Sequence, residues 1–212
     1  MELKGKKINF LGDSITQGVG TACEAEIYLN LIKEQEGLAE ARNYGISGTR
    51  IARQQEGGDD YGGAYSVRYP VMDDDADIVV VFGGTNDYGH GNAPIGSFAD
   101  RTVDTYCGAC HVLMEGLINK YPAATIVFMT PLHRLAENEP SEGNGLPLKK
   151  YGEIIREVAE HYAIPVLDLY SVSGIQPCIE VNRLRYCPDG LHPNGEGHKL
   201  MASRLAGFLK TL

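Results

Sequence analysis

The chain has 212 residues, 43% hydrophobic and 22% charged, with 28 acidic against 19 basic side chains and a net charge of −9. That length buries one good core and reads as a single domain over 1–212, and the acidic balance argues against nucleic acid or an anionic membrane surface as partner, since both need a basic footprint. No stretch has the apolar length of a membrane span or of a signal peptide, and five cysteines at irregular spacings make no disulfide framework, so a cytoplasmic protein is expected.

The first element is a short apolar strand around Ile8, Phe10 and Leu11 that stops at Gly12. A small polar loop with Asp13, Ser14 and Thr16 follows. Residues 27–36 have helix-forming composition, with Ile27, Leu31 and Ile32 inward and Gly37 as a stop. Residues 40–46 read as a weak second strand ending at Ser47-Gly48-Thr49. The stretch 52–77 resists assignment: Gly-Gly-Asp-Asp-Tyr-Gly-Gly, then one or two helical turns within 64–72, then three aspartates. Residues 78–82, Ile-Val-Val-Val-Phe, are a β-branched run of the kind expected when both faces are buried. They end in a glycine-rich loop, Gly83-Gly84-Thr85-Asn86-Asp87.

Residues 97–121 are predicted as one long helix with Val103, Tyr106, Cys107, Cys110, Leu113, Met114, Leu117 and Ile118 on a single stripe. A strand over 125–129, a surface loop over 132–147, a helix carrying Tyr151, Ile154, Ile155, Val158 and Tyr162, and a fifth strand over 165–169 come next. Irregular chain over 171–192 leads to a closing helix, 194–212, that buries Met201, Leu205, Phe208, Leu209 and Leu212. Five strands alternating with helices imply an α/β fold, a three-layer α/β/α sandwich around a mostly parallel sheet.

In such a sheet the loops at the carboxyl ends of the strands share one edge, where ligands bind near the reversal of strand order. Three of these loops offer Ser14, Gly48 and Asn86. A fourth segment, Pro188-Asp189-Gly190-Leu191-His192-Pro193, sets a carboxylate three residues before an imidazole. A serine hydroxyl needs a base within hydrogen-bond reach to attack a carbonyl. A neutral imidazole, with an ordinary pKa of about 6.5, suits that task.

Taken in order, Gly12-Asp-Ser-Ile-Thr16, Asn43-Tyr-Gly-Ile-Ser-Gly48, Gly84-Thr-Asn-Asp87 and Asp189-x-x-His192 resemble the four motif blocks of the SGNH (GDSL-type) hydrolases, with Ile15 where leucine is common. The resemblance covers essentially the whole chain. It implies a flavodoxin-like fold and a serine esterase or lipase working through an acyl-enzyme without cofactor or metal. It implies Ser14 as nucleophile, His192 as base and then acid, Asp189 as its orienting carboxylate, and an oxyanion hole from the N–H groups of Ser14 and Gly48 and the Asn86 amide.

Taken singly, Ser14 is equally a helix cap, Asn86 a turn residue and Gly48 a turn glycine; together they favour catalysis. Asp87 is expected to brace its loop. Cys107 and Cys110 read as core cysteines rather than a redox or zinc pair, the triple aspartate 73–75 as solvated chain, and His111, His161 and His198 as surface or core-edge residues. Asp13, Arg68, Tyr69, Tyr88 and His90 are candidate substrate-binding residues, with Tyr61 and Tyr65 as further rings to stack on a sugar. The polar rim loops favour a small-molecule ester with a short acyl group, such as an acetylated sugar. Alternatives are a lysophospholipase or thioesterase of the same family, a metal-dependent phosphoesterase drawing on Asp13, Asp87, His90, Asp189 and His192, and a phosphate-holding flavodoxin-like binding module. The acyl and alcohol moieties and the oligomeric state, homo-oligomer included, stay open at this level.

Overall fold

The structure, a computed structural model, describes residues 1–55 and 63–212. Residues 56–62, which include Tyr61 and most of the glycine–aspartate stretch, lie outside the described residues. In chain order the elements are β1 (Lys7–Gly12), α1 (Ser14–Gln17), α2 (Tyr28–Glu36), β2 (Glu40–Gly45), α3 (Tyr65–Arg68), β3 (Ile78–Phe82) and α4 (Thr85–His90). There follow α5 (Tyr106–Lys120), β4 (Thr125–Met129), α6 (Leu148–His161), β5 (Val166–Leu167), α7 (Leu169–Val172), α8 (Glu180–Tyr186) and α9 (Gly195–Thr211).

The five strands form one sheet in the order β2-β1-β3-β4-β5 with every pairing parallel, the flavodoxin-like order. Successive strand residues face opposite ways, and two cores result. Leu11, Val79, Val81, Ile126 and Phe128 point to the face covered by α5 and α6. Ile8, Phe10, Ile78, Val80, Val127 and Met129 point to the face covered by α2 and α9. This is why residues 78–82 are apolar without alternation: both faces of β3 are buried along its whole length. β2 lies at the sheet edge, is half-buried except at the exposed Asn43, and has a correspondingly polar sequence. No helix among the described residues is long and apolar enough to cross a membrane.

Several boundaries differ from the sequence reading. The long helix begins at Tyr106, not Ser97, because short polar side chains bind backbone and one another upstream of it. The Ser97 hydroxyl and N–H both donate to Asp100, Thr105 Oγ1 donates to Asp100 Oδ2 at 3.0 Å, and Thr105 Oγ1 caps the helix by accepting from the Gly108 N–H. Such local bonds compete with helix. Ile118 is exposed, off the buried stripe, and so is Leu212 at the end of α9. The fifth strand is only two residues long, and Leu169 already opens α7. Irregular chain gives way to helix at α8, which buries none of its residues and so shows no amphipathic pattern in the sequence.

Cys107 and Cys110 are buried free thiols on α5. The aspartates at 73–75 are exposed but ion-paired rather than merely solvated: Asp75 meets Lys7 and Arg42, each at 2.6 Å, Asp73 meets Arg42, and Asp74 meets Lys120. His111 and His198 are fully buried, not surface residues.

Candidate active site

Gly12 is the register partner of Gly45 on one side and of Phe82 on the other, so the chain leaves β1, β2 and β3 side by side at one edge of the sheet. Ser14 opens α1 immediately after β1. Asp13 caps that turn, its Oδ1 accepting from the Ile15 N–H at 3.0 Å. The loop after β2 is fastened to α1 by Asn43, whose Nδ2 donates to the Thr16 carbonyl at 2.9 Å while its Oδ1 accepts from the Gly45 N–H at 2.8 Å. Gly48 then takes a left-handed φ of 76°, a conformation glycine adopts without strain. Its N–H has no acceptor among the described residues. The Ser14 N–H, in the first turn of its helix, likewise has no intrahelical acceptor.

The fourth segment arrives from 178 residues away. Ser14 Oγ lies 3.1 Å from His192 Nε2, and His192 Nδ1 lies 2.7 Å from Asp189 Oδ2. The other carboxylate oxygen, Oδ1, accepts from the N–H groups of Leu191 (2.8 Å) and His192 (2.7 Å). Asp189 is therefore fixed by its own tight turn, and its free oxygen is presented to the ring. Burial works to raise the Asp189 pKa, but those two N–H groups and the ring together hold it below the ordinary carboxylate value. The segment is seated against the first loop at Gly20, whose φ is 99° and where a Cβ would collide with the Pro193 carbonyl. It is also tied to the loop after β4, through the Leu135 N–H donating to the Gly190 carbonyl at 2.8 Å.

Asn86 sits in α4, a short helix that the sequence reading took for loop. Its Nδ2 donates to the Thr49 carbonyl at 3.0 Å, and its Oδ1 lies 3.1 Å from His90 Nε2. Asp87 braces the neighbouring loop: Oδ2 and Oδ1 accept from the N–H groups of Ile51 and Ala52 at 2.9 and 3.0 Å. Burial pushes its pKa up to about 6 against the pull of those N–H groups.

The other candidates take up different places. Asp13 is fully buried, with Oδ2 lacking any partner among the described residues, and burial raises its pKa to about 6 while nearby His192 works to lower it. Arg68 donates to the Tyr44 and Gly12 carbonyls, both at 2.7 Å, and to Thr49 Oγ1, so it clamps the ends of β1 and β2. Tyr65 is wholly buried, its hydroxyl donating to the Phe82 carbonyl at 3.1 Å. Tyr69 packs into the α5 side of the core beside Gly116. The Tyr88 hydroxyl donates to the Ala136 and Glu139 carbonyls. His90 uses Nε2 toward Asn86 and Nδ1 toward Arg50. Among the described residues, no three of His, Cys, Asp or Glu converge with metal-binding geometry.

Two arginines that sequence reasoning did not single out belong to this edge. Arg50 is buried and donates to His90. Arg134 donates to the carbonyl and Oγ1 of Thr85 at 3.2 and 3.3 Å, with its guanidinium 5.4 Å from the Tyr88 ring centroid. The partners lie 40 and 49 residues distant, beyond any local spacing that could flag them.

No curated protein matches the chain. A solved structure of a protein from Lactobacillus plantarum has a TM-score of 0.85 at 30% identity, with 98% of each chain covered. An acetyl xylan esterase has a TM-score of 0.64 at 20% identity, covering 96% of this chain and 99% of that one. A two-domain esterase active on acetylated mannans also has a TM-score of 0.64, at 22% identity, with 97% of this chain and 48% of that one covered. At those two lower identities the likeness is one of fold. The GDSL-like lipase/acylhydrolase family matches residues 10–200, a span that takes in all four motif blocks. The chain is a member of that family and a carboxylic ester hydrolase.

Proposed function

We propose that the protein is a serine esterase acting through an acyl-enzyme on short-chain esters, with acetyl groups on carbohydrate as the substrate class. The observation that carries the mechanism is the hydrogen-bonded chain Ser14 Oγ–His192 Nε2–Asp189, at 3.1 and 2.7 Å. His192 takes the hydroxyl proton as Ser14 Oγ bonds to the ester carbonyl carbon. The oxygen that becomes negative is met by the N–H groups of Ser14 and Gly48 and by Asn86 Nδ2. The protonated ring, its charge stabilised by Asp189, then hands the proton to the departing alcohol as the C–O bond breaks. Water, deprotonated by the same ring, releases the acid and restores Ser14.

The short acyl group is supported by what surrounds the site. A long chain needs an apolar groove. The loops rimming this edge, 87–96 and 132–147 among them, are instead largely polar or glycine-rich, and the cavity between them, about 150 Å³, sets Arg134, Glu139 and Glu142 beside Tyr88, Ala136 and Pro140. The same three-layer fold is found in an acetyl xylan esterase and in an esterase active on acetylated mannans, which supports acetylated carbohydrate as a substrate class.

Removing the nucleophile tests the mechanism: Ser14→Ala and His192→Ala should each lower kcat on p-nitrophenyl acetate by at least about 10³-fold. EDTA should leave the rate unchanged. A rate abolished by EDTA and restored by a divalent cation would contradict the metal-free serine mechanism. On its acid limb the rate should rise with pH, since only the unprotonated ring accepts the serine proton; a flat profile between about pH 5 and 8 would contradict His192 as base.

A further inference from the structure

The Asn86 amide can be turned either way round, and its neighbours select one orientation. Behind α4, the buried Arg50 directs Nη2 at the His90 carbonyl (2.9 Å) and at His90 Nδ1. A guanidinium has donors only. Nδ1 must therefore accept, and the neutral ring carries its proton on Nε2. That N–H faces Asn86 Oδ1 at 3.1 Å, an oxygen that can only accept. Asn86 Nδ2 is left to face the other way and donates one hydrogen to the Thr49 carbonyl at 3.0 Å. Donation runs in a single direction, from Arg50 through His90 and Asn86 to Thr49, and one Nδ2 hydrogen remains for a substrate oxygen.

We propose that His90 is a positioning residue for the oxyanion hole: by donating to Asn86 Oδ1 it locks the amide with Nδ2 toward the reacting carbonyl and polarises it into a stronger donor. Three features support this role. His90 and Asn86 are four residues apart on α4, the spacing that puts side chains on one helix face. Both nitrogens of this exposed ring have protein partners, and the acceptor presented by Asn86 Oδ1 requires the proton on Nε2. Successive hydrogen bonds also polarise one another, so a bond into the amide oxygen strengthens donation from its nitrogen. The inference rests on reading Asn86 as an oxyanion donor.

The test is a double-mutant cycle with p-nitrophenyl acetate, following kcat and KM separately and checking each variant by circular dichroism. Asn86→Ala should lower kcat by about 10²–10³-fold, the usual loss for one oxyanion donor. His90→Ala should lower kcat by roughly 10- to 100-fold, the range for groups that orient an active-site ligand from behind, with KM nearly unchanged. The double variant should be no slower than Asn86→Ala alone, because His90 acts only through that amide. His90→Gln can accept from Arg50 with Oε1 and donate to Asn86 with Nε2, and should recover most of the lost rate. His90→Asn is too short to span both partners and serves as a second loss variant should the alanine variant not fold. Additive losses in the double variant, an unaltered kcat in the loss variants, or a glutamine variant as slow as alanine would each overturn the role of His90. An unaltered kcat in Asn86→Ala would overturn the oxyanion reading itself, so the two failures are distinguishable.

Discussion

Asp13 and Asp87 are both buried carboxylates at the active-site edge, yet they differ in what they cost the fold. Asp87 has an N–H donor on each oxygen, whereas Asp13 Oδ2 has no partner among the described residues. Burial raises the Asp13 pKa to about 6 in the folded chain, from an ordinary value of 3.8. Between those values the folded chain holds a proton that the unfolded chain has lost, so stability falls as pH rises through that window. Asp13→Asn should therefore gain on the wild type by up to about 3 kcal/mol between pH 4 and pH 8. Denaturant titration at the two pH values measures it, and a stability difference independent of pH would contradict the account. Asp87→Asn turns one acceptor into a donor facing an N–H, a cost of about 1–3 kcal/mol. Burial raises the Asp87 pKa to about 6 as well, so that cost should be clearest near pH 4 and be partly offset by pH 8. At this scale the side chains that meet in the Ser14–His192–Asp189 chain were legible because each motif block is a short local spacing: Asp189 reaches His192 within one turn. Arg50, Arg134 and His198 were not, since each gains its role from a partner far along the chain.

At the scale of elements, the N-terminus of α2 shows how a distant side chain completes a helix. Ile27, its cap position, has no side-chain acceptor to offer. The Tyr28 N–H donates instead to His198 Nδ1 on α9 at 3.1 Å, and the two rings stack with centroids 5.9 Å apart. Burial lowers the His198 pKa to about 4. With an unfolded value near 6.5, the stability held by the neutral ring is fully present above that value and is lost as pH falls toward 4. His198→Ala should lower stability by about 1–3 kcal/mol near pH 7 through the lost acceptor. Its stability should also decline less steeply than the wild type's from pH 6.5 to 4, and parallel acid limbs would contradict this. The strands β1, β3 and β4 were readable because burial on both faces leaves nearly continuous apolar runs. The start of α5 was not, because Ser97, Asp100 and Thr105 satisfy local backbone with their own side chains. Helix α8 has no fully buried residue and sets only Tyr186 against the core, so no periodic pattern marks it.

For the whole molecule, the order β2-β1-β3-β4-β5 performs the assembly. β1 lies between β2 and β3, so loops from three separate parts of the chain leave the sheet edge beside one another. The last helix then brings Asp189 and His192 to that edge. Parallel topology could be anticipated from alternating strands and helices, and the resemblance gave the motif order. The rim was less legible, because loops carry no periodicity: Arg68 and Tyr69, read as candidates for substrate, hold backbone or core in the structure, while Tyr88 ties its hydroxyl to backbone and lines the cavity beside Arg134. At this scale the polar surroundings of the site predict that kcat/KM for p-nitrophenyl acetate exceeds that for the decanoate, and the reverse order would contradict a short-acyl specificity. The central claim, that Ser14 is an activated nucleophile, is tested most directly by treating the active protein with a fluorophosphonate and locating the adduct by mass spectrometry. The account predicts a single adduct on Ser14 that parallels loss of activity and is missing from Ser14→Ala; an active protein that takes up no label, or carries it on another residue, would contradict it.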